Sequence, residues 1–81
     1  MMVSCQISIY PLGVEELGPA IEAAVAELRE AGLEPEVGPM ATYVTGDEDA
    51  VFEGLRRAFA AAAREGHVVM TLTVSNACPL P

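Results

Sequence analysis

The stretch LEPEVGPMATYVTGD, Leu33 to Asp47, lies between two helical patterns and holds two short strands split near Gly38-Pro39. Proline donates no backbone hydrogen bond, so the first piece is expected at a sheet edge. Met40 to Thr45 is β-branched and aromatic enough for the better strand. Its faces are open at this level. Either Met40, Thr42 and Val44 point to the helices and Ala41, Tyr43 and Thr45 away, or the reverse; the stronger hydrophobes favour the first arrangement.

Upstream, Leu17, Ile21, Ala24, Val25 and Leu28 recur at helical spacing, opposite Glu15, Glu16, Glu22, Glu27 and Arg29. Glu15 and Glu16 suit the positive end of the helix dipole. Pro19 is tolerated in a first turn, and Gly32 is a C-terminal stop. Before that helix, Met2 to Tyr10 is the first strand, strictly alternating from Ser4, until Pro11-Leu12-Gly13 breaks it. Cys5, Ile7 and Ile9 fall on one side, and Ser4, Gln6, Ser8 and Tyr10 on the other. Downstream, Gly46-Asp47-Glu48-Asp49 starts a second helix whose acids cap it and suit its dipole. Val51, Phe52, Leu55, Phe59 and Ala62 form its expected buried stripe, with Arg56, Arg57 and Arg64 facing out and Gly66 closing it. His67 to Ser75 is the last strand.

The order β-α-β-β-α-β predicts an α+β, ferredoxin-like chain: a four-stranded antiparallel sheet with two helices on one face. Crossover handedness is expected to put the first and third strands in the middle, parallel to one another, with the fourth beside the first and the second beside the third. Eighty-one residues make a single domain, 1–81, with a modest core.

With both helices on one side, the other side of the sheet is bare. Val68, Met70, Leu72 and Val74 are expected to face the helices. His67, Val69, Thr71, Thr73 and Ser75 then join Ser4, Gln6, Ser8 and Tyr10 on the bare face. The first and last strands carry no acid, Lys or Arg. A hydroxyl-rich face without ions pairs well across strands and tolerates burial when its hydroxyls find partners. The expectation is that it packs on another sheet and leaves polar hollows suited to a small, flat, heteroatom-bearing ligand. Such faces also occur where nothing binds.

The net charge of −8 argues against nucleic acid and anionic membrane surfaces, and is compatible with a cationic ligand or with solubility alone. No apolar run approaches the roughly 20 residues of a membrane span, and no secretory signal is visible. A cytoplasmic location is the default, and the two cysteines, Cys5 and Cys78, read as buried free thiols. His67 has no second ligand at metal spacing, so no metal is expected. Gln6 serves either recognition or a plain inter-strand hydrogen bond. Tyr10 and Tyr43 serve as interface filler or stacking partners. Asn76 satisfies a turn after the last strand. The strand faces offer no carboxylate acid or base, and His67 has no evident nucleophile, so no enzyme and no catalytic residue is expected. Acylphosphatases share the fold but need an arginine after the first strand, where Pro11-Leu12-Gly13 stands. RNA-binding sheets need aromatic and basic residues on the open face.

Three segments together, SCQISIYPLG (from Ser4), EVGPMATYVTGD (from Glu36) and VVMTLTVSNACP (from Val68), resemble the YkoF-type thiamine and hydroxymethylpyrimidine binding domain of the wider ferredoxin-like thiamine-binding family. The resemblance implies a non-enzymatic binder of thiamine or its pyrimidine precursor, linked to uptake or salvage of the vitamin, with no cofactor beyond that ligand. It implies domains that associate through their sheets, so a single domain borrows its neighbour from another copy as a dimer or tetramer. The motif positions carried over are Gln6, Ser8, Tyr10, Thr42, Thr45, Gly46, Ser75 and Asn76, to which the face pattern adds Tyr43 and Thr73. The alternatives are a ligand-free structural or regulatory oligomerisation module, and a small isomerase or cyclase using the same face.

Overall fold

The computed structural model describes residues 1–77, so Cys78 lies outside the described residues. Its elements are β1 (Met2–Pro11), α1 (Gly18–Glu30), β2 (Glu36–Val37), β3 (Thr42–Asp47), α2 (Glu48–Ala63) and β4 (Val68–Ser75). The strands form one sheet in the order β2-β3-β1-β4, the ferredoxin-like arrangement, with β2 on an edge as its flanking prolines demand.

One expectation about this sheet is corrected. β1 and β3 are central neighbours, but they run antiparallel, as do the other two neighbouring pairs. The α1 crossover returns the chain in the direction of β1 but one strand further over, in β2. The following hairpin reverses the chain and fills the gap with β3, which must oppose both. Gly38 donates its N–H to the Ala41 carbonyl at 2.8 Å to close that hairpin.

The core lies between the sheet and the helices. Val3, Cys5 and Ile7 of β1 and Val44 of β3 meet Ala20, Ala24 and Leu28 of α1 and Val51, Leu55, Ala58 and Ala62 of α2. β3 begins two residues later than expected. Thr42 and Val44 are buried while Tyr43 and Thr45 face out, which settles its two faces. Met40, expected to face the helices, is 85% exposed in the hairpin, and Ala41 is buried instead.

The helix stripes are partly corrected. Leu17 is exposed because the helix begins after it, and Leu17 occupies the cap position. Glu15 and Glu16 precede the first turn, which contains no acid. In α2, Val51, Leu55 and Ala62 are buried as expected, but Phe52 and Phe59 are 51% and 44% exposed. The residues that join the buried side are Gly54, Ala58 and Ala61. A Cβ on Gly54 would meet Ala31 and Leu28, so this flank of α2 lies against α1 and admits only small side chains. Phe52 and Phe59 sit about 160° and about 140° round the helix from it, on the opposite flank.

In β4, Val68 and Met70 pack against the core, whereas Leu72 and Val74, on the same side and expected to face the helices, are exposed. α2 itself starts as the acids suggest: Asp47 is the cap, and its carboxylate accepts the Asp49 N–H at 3.1 Å.

A hydroxyl-lined depression on the open sheet face

Directly paired residues of antiparallel strands point to the same side of a sheet. The register therefore builds rows across the face that the helices leave uncovered. One row runs Thr45, Ser4, Ser75; the next runs Glu36, Tyr43, Gln6, Thr73; then come Ser8 with Thr71, and Tyr10 with Val69. Over the first two rows lies an open depression of about 510 Å³, lined by Ser4, Gln6, Glu34, Glu36, Tyr43, Thr45, Thr73 and Ser75. That volume is within the range of small-ligand sites.

The local chemistry is hydrogen-bonding and mostly neutral. The Ser4 and Thr45 hydroxyls are 3.3 Å apart, and the Ser75 hydroxyl accepts the Ala77 N–H at 3.0 Å. Among the described residues the Gln6 amide makes no side-chain hydrogen bond, although it stands at the centre of its row between Tyr43 and Thr73. A plain inter-strand bond does not explain it. Beneath the face, burial pushes the Cys5 thiol above its ordinary range and keeps it neutral.

The residues singled out from the sequence divide into groups. Gln6, Tyr43, Thr45, Thr73 and Ser75 come together in the depression. Ser8 and Tyr10 share the face but lie further along β1, where the Ser8 hydroxyl donates to the Met40 carbonyl at 3.4 Å. Thr42 and Gly46 do not join them. Both alternate with Tyr43 and Thr45, so they point to the helix side, where Thr42 is 5% exposed. A Cβ on Gly46 would stand 2.9 Å from Leu33 Cδ2, so the glycine there makes room for Leu33. Asn76 follows the end of β4 and donates to the Met1 sulfur at 3.2 Å. His67 lines a separate cavity of about 170 Å³ beside Glu16 and Glu65. Among the described residues, no three His, Cys, Asp or Glu side chains gather as a metal would require.

Glu34 and Glu36 are the lining residues that sequence reasoning missed. β2 is two residues long, too short to display alternation. The signal was the hairpin: counting back from Tyr43 through the Gly38–Ala41 turn places Glu36 opposite it. The face that is ion-free on β1, β3 and β4 over these rows therefore has two carboxylates at its β2 end.

The match of a whole-length family model, covering residues 2–80, gives this geometry its context. The chain belongs to the YkoF-related family. Solved structures similar to this YkoF-related chain confirm the fold. A hypothetical protein of Methanocaldococcus jannascii matches with a TM-score of 0.85 at 22% identity, over 99% of this chain and 84% of that one. A protein of Streptococcus pneumoniae matches at 0.80 and 23%, over 93% and 86%. A Thermotoga maritima protein, provisionally described as a thiamine biosynthesis/salvage protein, matches at 0.77 and 23%, over 91% and 82%. No curated protein matches the chain. Among the described residues no helix is long and apolar enough to cross a membrane.

Proposed function

We propose that this chain is a non-enzymatic binding protein for thiamine or its hydroxymethylpyrimidine moiety, serving uptake or salvage of the vitamin. The observation that carries the reading is the row Tyr43, Gln6, Thr73, whose Gln6 amide makes no side-chain hydrogen bond among the described residues, on the face of a YkoF-related domain. An aminopyrimidine has ring nitrogens that accept and an amino group that donates; the Gln6 amide does both, and the neighbouring hydroxyls adapt to either role. Tyr43 offers a ring face for stacking. A second copy closes the site, because the depression is open and Tyr10, Tyr43 and Val69 leave apolar surface on the same face. That exposed apolar surface also favours a second reading, in which the face is an oligomerisation surface without a ligand.

Titration calorimetry with thiamine and with hydroxymethylpyrimidine separates the two. Binding is expected, with Gln6→Ala weakening it at least tenfold, on the scale of losing a buried hydrogen-bonding group. Folded protein that stays silent at millimolar ligand overturns the proposal. Light scattering checks the assembly: a lone 8.5 kDa particle at micromolar concentration contradicts closure by a second copy.

A further inference from the structure

Charge on this molecule is segregated. All four cationic side chains, Arg29, Arg56, Arg57 and Arg64, belong to the helices or the α2 C-terminal cap. Arg56 is held by Glu53, and Arg57 pairs with Glu27 at 3.0 Å. None of them lines the open depression, whereas Glu34 and Glu36 do. Among the described residues neither of these carboxylates makes an ion pair. Glu36 stands directly beside Tyr43, and Tyr43 directly beside Gln6. With neighbouring strands about 4.8 Å apart, the carboxylate-bearing end of the row lies about 10 Å from the amide.

We infer that Glu36, supported by Glu34, makes this depression selective for a cationic ligand. The inference rests on the proposed small-molecule site and adds a direction to it. The neutral hydrogen-bonding ring lies over Gln6 and Thr73. The positively charged ring lies toward β2, over the Tyr43 phenol and against the Glu36 carboxylate. Cation–aromatic attraction and the carboxylate charge then act on the same ring. A ligand built as two rings, one neutral and one a quaternary cation, fits the polarity of the row. A neutral single ring uses only half of it.

The test uses three probes on the folded, full chain at low ionic strength. They are thiamine, its uncharged thiophene isostere, and hydroxymethylpyrimidine. Thiamine is expected to bind about fivefold more tightly than the isostere, as for a solvent-exposed charge pair near 4 Å. The preference shrinks with added salt, because exposed pairs are screened. Glu36→Gln reduces the preference, and Glu34→Gln combined with it removes the preference while hydroxymethylpyrimidine affinity holds. Glu30→Gln, which changes the net charge by the same single unit as Glu36→Gln but on α1, leaves the preference intact. Equal binding of thiamine and the isostere to the unaltered chain overturns the role of Glu36 and leaves the ligand reading standing. So does a preference that survives the double substitution. Failure of all three probes to bind folded protein overturns the ligand reading, and the selectivity with it.

Discussion

Gly46→Ala separates packing from recognition. Gly46 stands in the family-like run of β3, yet it points at the core. An added Cβ would lie 2.9 Å from Leu33 Cδ2 and 3.5 Å from Val51 Cγ2. Ordinary carbon contacts begin near 3.5 Å, so Leu33 must retreat by about 0.6 Å. It has little freedom to do so. Leu33 is 6% exposed, and its other methyl lies 2.8 Å from where a Gly54 Cβ would be. One methyl of Leu33 sits over each glycine, wedging β3 against α2. Overpacking of this kind costs about 2 kcal/mol. The backbone does not oppose alanine here, since replacing a strand glycine returns about 0.5 kcal/mol. The net loss is about 1.5 kcal/mol, a fall of roughly 6–12 °C in Tm for a domain of this size. Thermal and urea unfolding followed by circular dichroism measure it. Leu33→Val in the Gly46→Ala background should restore part of the loss, giving a favourable coupling of about 1 kcal/mol. Ligand affinity of the folded variant should be unchanged. An alanine variant that melts like the parent but no longer binds would refute this reasoning and return Gly46 to the ligand site.

Two further outcomes test the helix faces and the cap. Leu55→Ala is expected to cost about 3 kcal/mol, while Phe59→Ala, despite removing a larger ring, costs about 1 kcal/mol or less, because Phe59 is half exposed; urea midpoints of the two variants decide it. The Asp49 N–H, and then the N-terminal amine, hold the Asp47 carboxyl below its ordinary range. A carboxylate lowered on folding stabilises above its unfolded value, and that stability is lost as pH falls through the lowered value. Asp47→Ala should therefore flatten the acid limb of a stability–pH profile while leaving its slope above neutrality alone.

The strands were the most legible part of the sequence. Alternation has a period of two and is carried by the chain itself, so β1 displayed its inner and outer residues without help from any neighbour. The same holds for β4 from Val68 onward, although Leu72 and Val74 stay exposed, and His67, expected on the bare face, precedes the strand and lies instead beside Ala20 and Ala62 of the helices. Gly32, Gly66 and the acids before α2 marked helix limits because caps are local chemistry. The candidate site was half legible for the same reason. Gln6, Thr73 and Ser75 followed from alternation, whereas Thr42 and Gly46 were carried by motif position alone and face the core.

Sequence alone determined the order of elements, and with it the four-stranded class with both helices on one side, and the polar character of the uncovered face, because periodicity within each segment identifies it; the antiparallel direction of the central pair β1 and β3 was decided by the tertiary structure. Only tertiary structure decided which flank of α2 is buried. The α1–α2 approach is close enough to select Gly54 and Ala61 and to leave Phe52 and Phe59 outside. It also decided that Glu36 stands beside Tyr43 and Gln6, since a two-residue strand has no period of its own and takes its face from the strand it pairs with.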